Sequence, residues 1–550
     1  MEIKIPRCLE KIDWKLWGSF FLIFLLYLPL VFLNDYPVRD VADRYAPAAE
    51  AFARGDWKYA FHPRIQSFHQ IFSGCFTVLF STDGFMGTKL SSLLFFALGI
   101  FPLFYLLKEV FNRKIAYWGI FAYMLASRLV VYAYSGLRDS HKQFAIILLA
   151  LGMVYIYKYR ERLKGYIIAG IACGCSTCIR NDMILFVVLS FAVCMVWDVY
   201  RNVFPWRSLI GAVFGFIFSL PEFIINYKIT GYMIPGYRFH EMFVKIFHCQ
   251  PTCTNVFLVV LSSYFCIFVL ALPAFGWFLR KKYGKQICLF LLVAGLIFIG
   301  YKISGMDPVI DKKVLKVFFR GVLRGVFLIM FFIALPGFLY RVIRKKFTGP
   351  EWILLSLFVL QAVLVILQML IAENTLFVTQ RYILPGTPLY FGWLGISAML
   401  VWRLLSIKPE IIKYRKAVSG ILLTVFVILT LTDATSSIRY LYGNGKYVGK
   451  KKQIAGVAEI IRNDYKGERF KEAPLKYSRY CSNRYPTIWY GHEGTITISS
   501  YFAKGRLCVN QKEALYLVVK SDRKISLKEF QKVGVPISSG KDSVQVWRRK

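Results

Sequence analysis

Residues 17–45 read WGSFFLIFLLYLPLVFLNDYPVRDVADRY. The run 16–33 is apolar and uncharged. As a helix it satisfies its own backbone hydrogen bonds and is long enough to cross roughly 30 Å of hydrocarbon. It is too long for a typical signal-peptide core and is not followed by a small-residue cleavage site, so it reads as a first membrane span. The polar segment after it packs two acids and two arginines into residues 39–44, close to where the span ends.

The same alternation of long apolar runs and short basic stretches continues along the 550 residues, of which 57% are hydrophobic and 17% aromatic. Spans are expected at 16–33, 86–108, 115–134, 141–158, 165–180, 183–198, 208–226, 256–279, 286–302, 322–341, 352–372, 388–405 and 417–434, about thirteen in all. Arg113-Lys114, Arg160-Glu161-Arg162, Arg201, Arg280-Lys281-Lys282, Arg344-Lys345-Lys346 and the segment 408–416 then fall on one side. Short basic loops mark the cytoplasm, which puts the N-terminus inside and the C-terminal region outside. The tail is basic too, but long domains translocate largely regardless of charge.

The net charge of +39 raises the question of nucleic acid. Much of the basic charge sits in clusters at span ends, which points to anionic membrane lipid as the electrostatic partner and away from nucleic acid. Most of the 12 cysteines, among them Cys173, Cys175 and Cys178, lie inside apolar runs and read as packing residues. Cys249, Cys253, Cys481 and Cys508 lie in expected external segments, where bridges can form.

Two domains are expected: a transmembrane module, 1–434, with external loops at 34–85, 227–255, 303–320 and 373–387, and an extracytoplasmic soluble domain, 435–550. In the first loop, 41–54 is amphipathic, and 71–80 is apolar but too short to span comfortably, as if lying along the interface. In the tail, 454–465 reads as an amphipathic helix, and 514–519 and 544–547 read as strands of a small α/β domain.

Ionisable residues beside a membrane are costly unless paired or functional. Asp40 and Asp43 are three apart, so on an α-helix both carboxylates share a face. They can also simply pair with Arg39 and Arg44 or cap the helix. Asp139 stands at the external mouth between two spans, where it can equally be a helix N-cap. Arg180-Asn181-Asp182 joins two spans by an almost absent loop and reads as a tight turn as much as a site. On the same side lie His62, Arg64, Arg138, Arg381 and Tyr382. The planar fork of an Arg matches phosphate oxygens, although Arg381 at a span end can also snorkel to the interface. No P-loop, Rossmann glycine pattern, GxSxG elbow or HExxH motif is found, so nucleotide-driven chemistry is not expected. No cofactor is identified, and the sequence does not decide a divalent-cation requirement.

The run Asp40-Val41-Ala42-Asp43-Arg44-Tyr45, the Ala-rich segment ending Gly55-Asp56-Trp57, His62-Pro63, the Ser135 to Asp139 mouth, the Gly-rich helix ending at Arg180 and Arg381-Tyr382-Ile383-Leu384-Pro385 occur in one order on one membrane side. Together they resemble the GT-C glycosyltransferases of the protein O-mannosyltransferase and aminoarabinose (lipid A) transferase type. Two departures are visible: Val41 and Ala42 stand where that family has an acid beside Arg-Tyr, and Arg64 replaces the second proline of His-Pro-Pro. The resemblance implies a polytopic GT-C-like helical protein with a small extracytoplasmic α/β domain. It also implies an inverting transfer of a hexosyl or pentosyl group from a polyprenyl-phosphate-linked sugar to a lipid, glycan or protein acceptor at the outer face of a bacterial plasma membrane.

Asp40 or Asp43 would then orient and deprotonate the acceptor, Asp139 would line the same cavity, and Arg381, Arg64 and His62 would face the phosphate. A transporter or flippase of lipid-linked sugars is the competing reading. It is disfavoured because no inverted repeat is evident and the acids gather at one face instead of mid-span. A polymerase or ligase of surface polysaccharide, with a larger acceptor, is a third.

Overall fold

The first helix, α1 (Trp14–Leu33), is tied at both ends. At its start Asp13 accepts from the Leu16 N–H (3.4 Å), Arg113 Nη2 (3.0 Å) and the Tyr117 hydroxyl (2.8 Å). At its finish the last carbonyls lack intrahelical donors. Buried Lys89 supplies one, its Nζ donating to Val31 O (2.6 Å) and Asn34 O (2.7 Å). The negative end of the helix dipole offsets the cost of burying that ammonium. Asn34 Nδ2 also donates to Tyr134 O (2.9 Å), so the chain leaves α1 for the first loop from an immobilised point.

The computed structural model describes residues 13–34, 37–38, 40–61, 66–180, 206–230, 329–371, 380–407, 445–465, 487–490, 506–507, 514–520, 529–539 and 542–550, with isolated positions between 183 and 190 and between 417 and 424. After α1 come a π-turn (Val41–Tyr45), α2 (Ala46–Ala53), α3 (Ser67–Leu79), α4 (Gly84–Leu98), α5 (Ile100–Val110), α6 (Arg113–Leu125), α7 (Ser127–Tyr134), α8 (Asp139–Lys158), α9 (Leu163–Ile179) and α10 (Trp206–Thr230). Then follow α11 (Ile329–Ile343), α12 (Gly349–Ile371), 3-10 turns at Gln380–Tyr382 and Leu384–Tyr390, and α13 (Phe391–Ile407).

Among the described residues, Trp14–Leu33, Gly84–Val110, Asp139–Lys158, Trp206–Ile225 and Leu384–Arg403 are long and apolar enough to cross a membrane. Arg113–Leu125 and Arg128–Tyr134, bent by 63°, make a sixth if counted as one broken span. Large apolar side chains of α1, such as Phe21, Leu25 and Phe32, face outward, as they must in lipid. The chain is an integral membrane protein. The spans expected at 256–279 and 286–302 lie outside the described residues, and those at 183–198 and 417–434 do so but for isolated positions. The expected loop 373–387 ends sooner than read, because Leu384–Tyr390 is a buried 3-10 turn that opens a span.

α3 is inverted relative to a soluble helix. Ser67, His69, Gln70, Ser73 and Thr77 are buried, whereas Val78 and Leu79 at its tip are exposed. It is the short apolar stretch expected at 71–80, begun four residues earlier, with a polar face turned into the bundle. Its N-terminus is held from α10, where the buried Glu222 accepts from the Ser67 N–H at 2.6 Å.

α9 and α10 meet backbone to backbone through two small-xxx-small pairs. A Cβ on Gly170 would come within 2.0 Å of Gly211 O, and one on Gly174 within 2.5 Å of Gly215 O. At the turn between α11 and α12, buried Glu351 accepts from Arg341 (3.0 and 2.6 Å), Thr348 N (2.8 Å), Thr348 Oγ1 (2.9 Å) and Trp393 Nε1 (3.1 Å). Both oxygens of the Glu351 carboxylate are thus hydrogen-bonded, the condition under which a buried charge is tolerated.

In the C-terminal region α14 (Gly445–Asp464) lies against a five-stranded mixed sheet of order β2-β1-β3-β5-β4. The strands are β1 (Thr487–Tyr490), β2 (Arg506–Leu507), β3 (Tyr516–Lys520), β4 (Phe530–Ser539) and β5 (Asp542–Arg549). The helix and two strands read from periodicity are present. β1, β2 and β4 were not anticipated, the first two being too short to display a period of two.

Candidate active site

Gly136 sets the mouth. Its φ of +76° is open to glycine, and a Cβ there would approach Thr88 Oγ1 to 2.5 Å. The turn it makes starts α8 at Asp139, with Arg138 as N-cap residue and no side-chain capping bond. Asp139 is therefore not the helix cap. Its carboxylate is the first of the helix and is wholly buried, aimed at a cation from the far end of the chain.

That cation is Arg381, in the Gln380–Tyr382 turn. Its Nε donates to Asp139 Oδ2 and its Nη1 to Asp40 Oδ2, each at 2.6 Å. The alternatives in which Arg381 merely snorkels, or Asp40 merely pairs with its neighbours, do not describe this geometry. The three residues are brought together across sequence separations of 242 and 341 residues. Asp40 keeps 37% of its side chain exposed, while Asp139 keeps none. Burial alone would raise the Asp40 carboxyl, but the Arg381 guanidinium beside it, with Arg44 and Arg138, holds it well below the usual carboxylate range.

More cations converge on the same point. Arg180 follows the end of α9 and lies 3.5 Å from Asp139 Oδ1, an oxygen that accepts no hydrogen bond from the described residues. Its guanidinium sits 4.4 Å over the Tyr382 ring. Lys142 Nζ donates to Tyr382 O at 3.3 Å. Arg138 donates to Gln66 Oε1 and, at 3.2 Å, to Ile179 O, and lies 5.6 Å over the Tyr45 ring.

Behind Tyr45 a buried chain of rings runs inward: Tyr45 to His69 at 4.9 Å, His69 to His141 at 4.8 Å, and His141 Nε2 to Ser91 Oγ at 2.9 Å. Burial first, and then the nearby Arg138 and Arg381, push His69 down to about 3, so the imidazole is neutral at physiological pH.

Of the residues singled out in the sequence, Asp40, Asp139, Arg138, Arg381 and Tyr382 are brought into one site. The backbone of Asp43 lies in the π-turn, where Ala46 N–H bonds to Val41 O. The α-helical spacing that would put it on the Asp40 face does not apply to such i→i+5 geometry. The Asp43 side chain, His62 and Arg64 lie outside the described residues. Lys142, Gln66, His69 and His141 were not singled out in the sequence, and Arg180 was left open between a tight turn and a site residue. The signal was the polar run 138–143 opening an apolar span, which is too expensive there to be incidental.

No protein-family model matches the sequence, and no curated protein matches it. Solved structures do. The Archaeoglobus fulgidus oligosaccharyltransferase, in complex with Zn and sulfate, is similar with a TM-score of 0.59 and 13% identity, over 91% of this chain and 68% of that one. The same protein tethered with an acceptor peptide containing the NVT sequon gives 0.58 and 14%, over 92% and 65%. ArnT from Cupriavidus metallidurans, bound to undecaprenyl phosphate, is similar at 14% identity over 96% and 98%, with a TM-score of 0.44. At 13–14% identity the likeness to the oligosaccharyltransferase is one of fold alone.

A cation such as the Zn named for that protein does not fit between Asp40 and Asp139 as they stand. The facing carboxylate oxygens are already taken by Arg381. Among the described residues no group of three His, Cys, Asp or Glu side chains could hold a metal ion.

Proposed function

We propose that this chain is a membrane glycosyltransferase that moves a sugar from a polyprenyl-phosphate carrier to an acceptor on the extracytoplasmic side, with inversion at the anomeric carbon. The observation that carries the reading is the Arg381 bridge between an exposed and a buried carboxylate, set among Arg138, Arg180 and Lys142. One acid is accessible to an acceptor, and the cations can receive a phosphate. The GT-C fold supports this, as does the presence of dolichol-phosphate in one structure of the similar archaeal protein AglB (TM-score 0.53, 13% identity).

In this reading the donor phosphate draws Arg381 off Asp40 while Asp139 keeps the guanidinium oriented. The acceptor O–H or N–H, aligned by the released Asp40, attacks the anomeric carbon as the bond to the phosphate oxygen breaks. The acceptor proton passes to Asp40 and then to water, and the carrier leaves as a phosphate monoester. A carboxylate with depressed basicity is a poor base for a free hydroxyl, so proton transfer accompanies bond formation. Arg381, Arg138 and Arg180, with Tyr382, stabilise charge on the departing phosphate. Fixed placement of donor and acceptor supplies much of the remaining acceleration. Asp43 stays the second candidate base, and His62 and Arg64 further phosphate donors from the same loop.

The bundle end carrying Arg113, Lys158 and Arg162 is assigned to the cytoplasm and the opposite, Asp139 end to the outside. The reading has about thirteen spans in residues 1–434, an extracytoplasmic domain at 435–550 and a bacterial plasma membrane as location. Purified protein in lipid vesicles, given radiolabelled polyprenyl-phosphate sugars and candidate lipid, glycan and peptide acceptors, tests the proposal. Transfer of label with release of carrier is the expected result. Label that crosses the bilayer still attached to its carrier would make the protein a transporter.

A further inference from the structure

Glu222 is a carboxylate inside the membrane span Trp206–Ile225 and is only 3% exposed. Such a group is expensive in a bilayer unless its position is used. Its Oε2 takes the Ser67 N–H at 2.6 Å, which is the first amide of α3. The N-cap residue of that helix, Gln66, makes no side-chain capping bond. Its Oε1 accepts instead from Arg138 Nη1. A carboxylate from another helix thus caps α3, in the place where the helix dipole favours negative charge.

The same junction reaches the end of α9. The Cys178 thiol donates to Phe218 O at 3.3 Å, one turn before Glu222 on α10. Cys178 is followed by Ile179, whose carbonyl accepts from Arg138, and then by Arg180, the partner of Asp139. α10 is pressed onto α9 by the glycine pairs at 170/211 and 174/215, which fixes the height of Glu222.

We infer that Glu222 is a positioning residue for the transfer reaction: by capping α3 in place of Gln66, it frees Gln66 to hold Arg138 beside Asp40 and Tyr45. This rests on the glycosyltransferase reading above. It goes beyond it by assigning a role to a residue that touches neither donor nor acceptor.

The test uses full-length protein in nanodiscs, carrying Glu222→Ala, Glu222→Gln or Glu222→Asp, each also combined with Gln66→Ala. Carrier release from a radiolabelled polyprenyl-phosphate sugar, binding of undecaprenyl phosphate and hydrogen exchange of the peptide around 66–70 are followed. Glu222→Ala is expected to lower kcat at least tenfold with carrier affinity changed less than twofold, and to speed exchange at the start of α3. Glu222→Gln, which keeps an acceptor for the Ser67 N–H, is expected within about threefold of wild type. In the Gln66→Ala background the Glu222→Ala effect largely disappears, because both act through one contact.

Wild-type turnover in Glu222→Ala, or losses that multiply in the double variant, would overturn the inference. If Glu222→Ala fails to fold, Glu222→Asp against Glu222→Gln decides it: the shorter acid is slowed and the amide is not, whereas equal rates overturn it. Faster exchange in Glu222→Ala, from a wild type that releases no carrier, would refute the transferase reading while leaving the capping role intact.

Discussion

At the scale of single residues, the site's character comes from how unequally its two acids are treated. Asp139 is sealed in and Asp40 is partly open, yet one guanidinium binds both. Because its folded-state value is depressed, Asp40 stays ionised from its ordinary value near 4 upward. Turnover between pH 5 and 8 is therefore expected to show no acid limb from it. A rate that halves near pH 6 in wild type but not in Asp43→Asn would transfer the role of base to Asp43.

His69 behaves differently. Its folded value, pushed down to about 3, lies below the unfolded one near 6.5, so the unfolded chain binds the extra proton between them. Stability is complete above pH 6.5 and falls by roughly 1.4 kcal/mol per pH unit below it. Thermal unfolding across pH 4–7 should show that slope reduced in His69→Gln. Since Arg381 already stands between the carboxylates, carrier release is expected to be insensitive to EDTA. A loss restored by Mg²⁺ or Mn²⁺ would show that Arg381 yields its place to a metal.

At the scale of elements, what could be read in advance was set by periodicity and hydropathy. α1, α8 and α10 are long and carry extended apolar runs, and the sequence placed them within a few residues. The break between α6 and α7 at Ala126 was passed over, although Ser127-Arg128 interrupt the apolar run 115–134 at that point, because the run as a whole is long enough to read as one span. The 3-10 entry at Leu384–Tyr390, with Pro385 and Pro388, reads as loop chemistry yet is buried against the bundle. Asp40 and Asp139 were legible as acids near a mouth. Their common partner was not, since no local pattern encodes a contact spanning 341 residues.

The packing of α9 on α10 makes a sharp prediction at this scale. Gly170→Leu must push the helices apart against a backbone oxygen 2.0 Å from its first carbon, and is expected to destabilise by about 2 kcal/mol or more. It should slow turnover as well, by displacing Glu222. A thermal midpoint equal to wild type would contradict the close approach. Glu351→Ala, which leaves Arg341 without its buried acceptor, is expected to cost about 3 kcal/mol without changing carrier affinity.

At the scale of the whole molecule, one end of the bundle gathers Asp13, Arg113, Glu109 and Lys158, and the other gathers the Asp40, Asp139 and Arg381 site. This polarity suits the lipid-borne donor proposed above, whose phosphate would be held at the membrane surface while its tail remains in hydrocarbon. The sequence conveyed that polarity through its basic loops, and the GT-C resemblance through an ordered set of weak motifs. The sugar and acceptor have no such signature, because they are chosen by loop side chains and not by the fold.

The central claim is tested most directly by single-turnover carrier release from a radiolabelled polyprenyl-phosphate sugar, comparing wild type with Asp40→Asn at saturating donor. The account predicts a loss of between a hundredfold and ten-thousandfold, with undecaprenyl phosphate still bound. Release by Asp40→Asn at the wild-type rate would contradict it.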